Sequence, residues 1–198
     1  MDDGLQNPSL VKDLALAVLD AGAGLGNGRV LPAGPLRGPL AAQWPLVDAV
    51  VLIGEGPAGE AAAGAAARAG KPVLRAALVP EPAAAAALRG RRVLAFAGIG
   101  RPEKFFATLA ACGAGVVRAR AFPDHHPYGE REIRALLSEA ARDALVPVTT
   151  EKDRVRIAAL GADLAHAVAA LPVTLSFADE APLQGLLARP WQAGQTKG

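Results

Sequence analysis

Short runs of Val, Leu and Ile alternate along the chain with longer stretches of helix-forming residues. A short apolar run bounded by glycine or proline is typical of a buried strand, and the longer stretches are typical of helices. The alternation therefore predicts βα units around a mostly parallel sheet. The predicted strands are residues 14–19, 49–53, 73–78, 93–97, 115–119, 145–148 and 173–177. The predicted helices are residues 59–69, 102–111, 129–141 and 151–159.

A change of composition near residues 79–92 predicts a boundary between two α/β lobes. A Pro-Glu-Pro segment, five alanines and a basic cluster stand there before the next strand. We expect a first lobe at residues 1–80, a linker at 81–92, a second lobe at 93–190 and a flexible tail at 191–198. Residues 21–40 are rich in Gly and Pro, and a loop of this length inside a domain is usually functional or disordered.

Composition and charge narrow the class of protein. Of the 198 residues, 52% are hydrophobic and 20% are charged, which is typical of a globular chain with a buried core. The 21 basic and 19 acidic residues nearly balance, so a nucleic-acid partner is not favoured. A single cysteine allows no internal disulfide and indicates a cytoplasmic protein. The sequence predicts neither a signal peptide nor a membrane-spanning run.

Two segments of the first lobe carry residues suited to binding metal or phosphate. Asp2 and Asp3 are adjacent, and paired carboxylates hold Mg²⁺ in many phosphoryl-transfer enzymes, although adjacent Asp residues are more often solvated turn formers. Residues 26–37 combine closely spaced glycines with Arg29 and Arg37, which can pair with phosphate or carboxylate. A rigid surface loop with solvated arginines explains the second pattern equally well.

Three segments of the second lobe follow predicted strands. The Gly98-x-Gly100 turn leads into a helix and directs its first amides above the sheet, although a plain tight turn is an equal explanation. Residues 122–128 place carboxylate beside imidazole, which suits proton transfer near neutral pH but also suits a polar surface loop. Thr150 and Lys152 lie at an edge where α/β sheets bind ligands, and helix capping by Thr149 or Thr150 explains part of that pattern.

Taken together, five segments resemble the tetraacyldisaccharide 4′-kinases, which phosphorylate the lipid A precursor. The segments are residues 2–6, 26–37, 96–106, 122–128 and 149–153. They cover most of the chain from residue 1 to about residue 156 in the same order as in that family. Each segment is a weak signal by itself, and the ordered combination is specific.

The resemblance implies a P-loop-kinase-like fold with three-layer α/β/α sheets, a partial first lobe and a second, smaller α/β lobe. It implies transfer of the ATP γ-phosphoryl group to the 4′-hydroxyl of a disaccharide 1-phosphate, with ATP and Mg²⁺ as cofactors. It also implies a cytoplasmic protein in peripheral contact with the cytoplasmic face of the inner membrane. The partners are then ATP and the lipid A precursor.

The resemblance assigns roles to particular residues. Asp2 and Asp3 serve Mg²⁺–ATP. His125 supports an aspartate that acts as base on the sugar hydroxyl and that the family carries upstream of its acidic pair. Asp124, next to His125, is the second candidate catalytic residue. Two further sets complete the expected site: Gly98 and Gly100 contact the cofactor, and substrate or phosphate is bound by Asn27, Arg29, Arg37, Thr150 and Lys152.

The sequence also departs from the family pattern. The family carries a Walker A loop upstream of its acidic pair, and no G-x-x-x-x-G-K-[ST] occurs in these 198 residues. Gly38 and Asn7 stand where the family usually has Glu and His. We therefore expect a C-terminal portion of the kinase that is inactive alone. Two alternatives stay open: a non-catalytic binding module or split subunit that needs a separate P-loop-bearing chain, and an unrelated nucleotide-binding α/β enzyme that uses the Gly98/Gly100 turn.

Overall fold

The computed structural model describes residues 4–9 and 11–188, which divide into two compact units. The first unit comprises the chain up to Leu78 and again from Leu175, and the second comprises Val79–Thr174. No helix among the described residues is long and apolar enough to span a bilayer.

The described residues form eight strands and eight α-helices. The strands are β1 (Leu16–Asp20), β2 (Ala49–Ile53), β3 (Val73–Pro80), β4 (Arg92–Ala97), β5 (Gly115–Ala121), β6 (Val146–Thr150), β7 (Ala169–Leu171) and β8 (Val173–Phe177). The helices are α1 (Leu40–Gln43), α2 (Pro57–Arg68), α3 (Pro82–Leu88), α4 (Pro102–Ala111), α5 (Glu130–Arg142), α6 (Glu151–Ala158), α7 (Ala162–His166) and α8 (Ala181–Leu187).

The first unit is built on a sheet with the strand order β1-β2-β3-β8, in which β1, β2 and β3 run parallel. Successive side chains of a strand point to opposite faces, and both faces of β2 are covered. Val51 packs in a cluster with Leu186 of α8, and Leu52 packs in another with Ala63 of α2. One helix therefore covers each face of β2.

The second unit repeats this layering around a parallel sheet with the order β5-β4-β6-β7. The central strand β4 is almost entirely buried, and its alternate side chains enter two different cores. Phe96 packs with Ile133 of α5 and with residues of α6 and α7, whereas Ala95 packs with Leu109 of α4 and with Leu88 of α3. The unit is therefore a three-layer α/β/α sandwich.

The predicted α/β class is confirmed, and each predicted strand and helix overlaps an observed one. The pattern did not predict β7, which is only three residues long, nor the short helices α1, α3, α7 and α8. Helices of four to seven residues and a strand of three residues contain fewer than two full periods, too few for a clear periodic signal. Tertiary packing stabilises these elements instead.

The boundaries of the two units differ from the expected ones. The segment expected as a linker, residues 81–92, contains α3 within the second unit. Glu81 caps α3 by accepting hydrogen bonds from the amides of Ala83 and Ala84, and the five alanines that follow have the highest helix propensity of any residue. Residues 175–188, expected in the second lobe, belong to the first unit, where Leu186 is buried. The expected tail at 191–198 lies outside the described residues.

Candidate active site

The candidate site lies where three parallel strands of the second unit end. β4 ends at Ala97 and is followed by Gly98, β5 ends at Ala121 and is followed by the loop 122–128, and β6 ends at Thr150 and passes directly into α6. Because these strands are parallel neighbours in the sheet, their carboxyl ends share one edge. Open α/β sheets bind their ligands at this edge.

Asp153, in the first turn of α6, is fully buried at this edge. Its Oδ2 accepts hydrogen bonds from the Gly98 amide at 2.9 Å and from the Thr150 hydroxyl at 2.8 Å. Its Oδ1 accepts one from Arg156 Nη1 at 2.8 Å. A buried carboxylate is costly unless it is paired and hydrogen-bonded, and these three donors meet that requirement.

Thr150 is the N-cap of α6. Its hydroxyl oxygen accepts a hydrogen bond from the Asp153 amide at 3.1 Å and donates to the Asp153 carboxylate. This reciprocal pairing satisfies one of the amides that the start of a helix leaves without a partner. Thr149, fully buried, donates to the Phe96 carbonyl at 2.8 Å and ties β6 to β4. Capping therefore accounts for the contacts of Thr150.

Both polar backbone groups of Gly98 are engaged within the protein. Its amide donates to Asp153, and its carbonyl accepts from the His125 amide at 3.1 Å and from Arg156 Nη1 at 3.0 Å. A Cβ at this position would come within 3.0 Å of the Tyr128 hydroxyl, so the loop 122–128 packs directly against the glycine. Gly98 joins the ends of three strands, and a cofactor role for it stays a prediction.

His125 projects from this junction into solvent. Its backbone is in the left-handed region, with φ of 58°, and its amide also donates to Asp124 Oδ1 at 3.0 Å, a local bond that favours this conformation. Its side chain is 82% exposed, and its Nε2 lies 3.9 Å from Asp124 Oδ2. Its Nδ1 is 3.1 Å from Arg156 Nη2. The buried Asp153 therefore connects to the exposed imidazole through Arg156.

The remaining loop side chains pack inward as an aromatic cluster. The His126 ring stacks on Phe122 at 4.7 Å between centroids and meets the edge of Tyr128 at 4.8 Å. His126 Nε2 also lies 2.8 Å from Glu132 Oε2. The two neighbouring histidines are thus used differently, because His126 supports the loop and His125 faces solvent.

The hydroxyl of Tyr128 is buried without a hydrogen-bond partner among the described residues. The amide of Gly98, beside it, donates to Asp153 instead. Burial, and then the negative charge of Asp153, raise the pKa of the Tyr128 hydroxyl above its ordinary value. Tyr128 is therefore protonated at neutral pH.

Two further predicted residues of the second unit lie at the same edge. Lys152 is exposed in the first turn of α6. Gly100 lies next to the loop 122–128, since a Cβ there would be 3.5 Å from Asp124 Oδ2. The structure thus brings Gly98, Gly100, Asp124, His125, Thr150 and Lys152 to the ends of adjacent strands, and their roles stay predictions.

Three predicted residues belong to the first unit, in the loop 26–37. Asn27 holds this loop together, since its side-chain nitrogen donates to the Ala33 carbonyl at 2.8 Å and its oxygen accepts from the Arg29 amide at 3.1 Å. The Arg29 side chain makes no hydrogen bond or ion pair within the described part of the chain. Arg37 lines a cavity of about 850 Å³ beside β1, together with Leu5, Leu16, Trp44 and other residues.

The predicted magnesium ligands, Asp2 and Asp3, lie outside the described residues. Within residues 4–9 and 11–188, no three His, Cys, Asp or Glu side chains are grouped closely enough to hold a metal ion.

Sequence reasoning did not single out Asp153 and Arg156, which organise the site. The spacing of these residues in the sequence nevertheless indicates their contacts with one another. Thr150 and Asp153 have the T-x-x-D spacing of a reciprocal helix cap. Asp153 and Arg156 are three positions apart, so they lie on the same side of α6. In the sequence, residues 149–156 stand out only for their position after a strand. The contacts of Asp153 and Arg156 with Gly98 and His125 depend on the tertiary structure.

Comparison with known proteins gives a consistent result. The chain matches the family described as Tetraacyldisaccharide-1-P 4′-kinase over residues 1–191. It is 62% identical to the tetraacyldisaccharide 4′-kinase of Methylobacterium nodulans over 179 residues, 90% of this chain and 52% of the relative. It is 53% identical to the tetraacyldisaccharide 4′-kinase of Bradyrhizobium sp. (strain ORS 278) over 196 residues, 98% of this chain and 58% of the relative.

A solved structure is similar as well. The crystal structure of LpxK from Aquifex aeolicus in complex with ATP superimposes with a TM-score of 0.60 at 26% sequence identity, over 95% of this chain and 56% of that chain. The chain thus spans about half the length of the relatives that it matches. On the extent of these matches, the chain belongs to the tetraacyldisaccharide-1-phosphate 4′-kinase family.

Proposed function

We propose that this chain forms part of an ATP-dependent kinase that phosphorylates the 4′-hydroxyl of tetraacyldisaccharide 1-phosphate, the lipid A precursor. The observation that carries the proposal is the exposed His125, held by buried polar groups at the carboxyl edge of a parallel sheet, in a chain of this family. A histidine placed so can handle a proton or donate a hydrogen bond at a reacting group near neutral pH.

In this proposal the second unit positions groups at the sugar hydroxyl. His125 and Asp124 are the catalytic pair, with the imidazole facing solvent and the carboxylate beside it. Lys152 and Thr150 lie at the first turn of α6, where the positive end of the helix dipole favours an anion. The lysine ammonium is exposed, so we assign it to a phosphate oxygen of the substrate. By resemblance, substrate or phosphate is bound by Asn27, Arg29 and Arg37, which belong to the first unit.

The described residues of this chain do not by themselves fit ATP. ATP supplies the transferred phosphoryl group, and a P-loop amide cradle and lysine normally hold its β- and γ-phosphates. This sequence contains no such motif, and the Gly98 amide is already bound to Asp153. Magnesium is assigned to Asp2 and Asp3 by resemblance. We therefore derive no catalytic step through either cofactor, and we propose that the chain alone does not phosphorylate the disaccharide.

A chimeric enzyme tests the proposal. The matching 179 residues of the Methylobacterium nodulans kinase would be replaced by those of this chain, and phosphate transfer from labelled ATP to the disaccharide would be measured with Mg²⁺ present. We expect turnover by the chimera and none by the chain alone. A folded chimera that binds ATP without turnover would contradict the kinase proposal. Turnover by the chain alone would contradict the proposed inactivity.

Two histidine variants of the chimera test the site. His125→Ala is expected to lower turnover by a factor of about 100 or more, the usual effect of removing a positioned proton-transfer or hydrogen-bonding group at a reaction centre. His166→Ala is the matched control, because His166 is an exposed histidine at the end of α7. Equal activities of the two variants would exclude the assigned role of His125.

The alternative, a binding module or split subunit that needs a separate P-loop-bearing chain, is supported by β1. This strand is at one end of its sheet, and Val18 is 60% exposed, whereas β2 is buried on both faces. An exposed apolar edge strand favours pairing with a further segment. Co-expression with the P-loop-bearing part of the relative as a separate polypeptide tests this alternative, and co-purification with restored turnover is its expected result.

The place of action is also a proposal. By resemblance we assign the protein to the cytoplasm, in peripheral contact with the cytoplasmic face of the inner membrane, where the acylated substrate lies. Sedimentation of the active chimera with lipid vesicles that contain the disaccharide tests this contact. Failure to sediment under conditions that allow turnover would contradict it.

A further inference from the structure

The two terminal nitrogens of Arg156 contact different partners. Nη1 donates to Asp153 Oδ1 at 2.8 Å and to the Gly98 carbonyl at 3.0 Å. Nη2 lies 3.1 Å from Nδ1 of His125. Asp153 is fully buried and the Arg156 side chain is 27% exposed, so the guanidinium is anchored at one nitrogen and reaches the solvent-facing imidazole with the other.

The chemistry of this contact determines where the imidazole proton lies. A guanidinium carries only hydrogen-bond donors and keeps its charge in proteins, so Nδ1 of His125 has to accept. A neutral imidazole has a single N–H, and the nitrogen that accepts cannot carry it. We propose that Arg156 is a positioning residue that holds Nδ1 of His125 as an acceptor and so keeps the imidazole proton on Nε2.

This tautomer gives His125 a defined chemical role. The Nε2–H group becomes a hydrogen-bond donor on the exposed side of the residue, suited to a carboxylate or phosphate oxygen. Asp124 Oδ2, at 3.9 Å from Nε2, is too distant to hold that proton itself. This catalytic consequence rests on the proposed function: in a kinase, His125 would support an anionic group at the reaction centre and would not remove the hydroxyl proton itself.

The tautomer can be measured on the chain itself, without ATP, substrate or a second polypeptide. Nitrogen-15 NMR of the imidazole separates a protonated from an unprotonated ring nitrogen, and the spectrum would be recorded at about pH 8.5, where an ordinary imidazole is neutral. We expect the Nε2–H form of His125 in the wild-type chain. A wild-type spectrum with the Nδ1–H form, or with comparable amounts of both, would overturn the proposal.

Substitutions then test whether Arg156 is the cause. Arg156→Met is expected to raise the ratio of the Nδ1–H to the Nε2–H form by about fivefold, the factor that corresponds to one ordinary hydrogen bond. Arg154→Met is the matched control, since it removes the same charge from an exposed position of the same helix. An Arg156→Met spectrum that coincides with the control spectrum would contradict the proposal.

Arg156→Lys separates the two functions of the guanidinium and covers the case in which Arg156→Met does not fold. Lysine keeps a positive charge for Asp153 but has one nitrogen, whereas the guanidinium contacts Asp153 and His125 with two. We expect a folded chain with the tautomer ratio shifted as in Arg156→Met. A wild-type ratio in the lysine variant would show that the second nitrogen is not needed. These outcomes do not depend on kinase activity, so failure of this inference is distinguishable from failure of the proposed function.

Discussion

Replacement of Asp153 by asparagine tests how the candidate site is held together. The side chain keeps its size, but one carboxylate oxygen becomes an NH₂ group. With that group toward Arg156, two donors face each other where Oδ1 accepted a bond at 2.8 Å. In the opposite orientation the NH₂ group faces the Gly98 amide, another donor. Either orientation therefore loses at least one hydrogen bond and removes the counter-charge of Arg156.

The size of the effect follows from these contacts. A hydrogen bond to a charged group contributes about 1.5–3 kcal/mol, and removing one partner of a buried ion pair costs about 3–5 kcal/mol. Arg156 is 27% exposed and keeps its bond to the Gly98 carbonyl, so solvent and the backbone partly compensate. We expect Asp153→Asn to lower the free energy of unfolding by about 2–3 kcal/mol, a large part of the roughly 5–15 kcal/mol that stabilises an ordinary domain.

Urea unfolding, monitored by circular dichroism, measures the decrease in the free energy of unfolding. Hydrogen exchange of the Gly98 amide reports on the site directly, because that amide donates to Asp153. Glu151→Gln is the matched control, since it removes the same charge from an exposed position in the first turn of α6. We expect the control to cost less than about 1 kcal/mol. Equal urea midpoints for the two variants, with unchanged exchange at Gly98, would refute this account of Asp153.

Three other substitutions probe neighbouring features. Gly98→Ala places a Cβ within 3.0 Å of the Tyr128 hydroxyl and of His126 Cβ, and is expected to destabilise the second unit by about 1–3 kcal/mol in thermal unfolding; a wild-type melting temperature would contradict this. Tyr128→Phe removes a buried hydroxyl that has no partner among the described residues, so we expect stability to stay equal or to rise. Burial raises the pKa of Tyr128 in the folded state, so the chain keeps its full stability below the unfolded pKa of this tyrosine and loses stability as the pH rises from the unfolded pKa toward the folded one. Ultraviolet titration of this single tyrosine should therefore show no tyrosinate until the chain unfolds. Ionisation in the folded chain at the ordinary pKa would contradict this expectation. Hydrogen bonds from the amides of Ala84 and Ala83 lower the pKa of Glu81, so the stability that Glu81 confers is present above its unfolded pKa and is lost as the pH falls through the folded one. Glu81→Ala should therefore be less stable than wild type at neutral pH and equally stable in acid. A difference in stability that does not depend on pH would exclude this cap.

The sequence by itself determined the class of the fold and the candidate segments. Strands of buried Val, Leu and Ile are recognisable in the sequence, because a strand buried on both faces requires an apolar run. The helices between them are recognisable as longer stretches of helix-forming residues. The order of five weak segments was enough to indicate the family. The residue types in the loop 122–128 were enough to make it a candidate segment.

Only the tertiary structure decided how these segments meet. Gly98, His125 and Arg156 are separated by 27 to 58 positions, and they touch because β5, β4 and β6 are neighbours in one parallel sheet. The tertiary structure also places the two adjacent histidines differently, with His126 in an aromatic cluster and His125 in solvent. Residues 175–188 likewise return to the first unit through packing that no local pattern records. Periodicity along a chain specifies which face of an element is apolar, whereas strand order and register decide which distant residues share an edge.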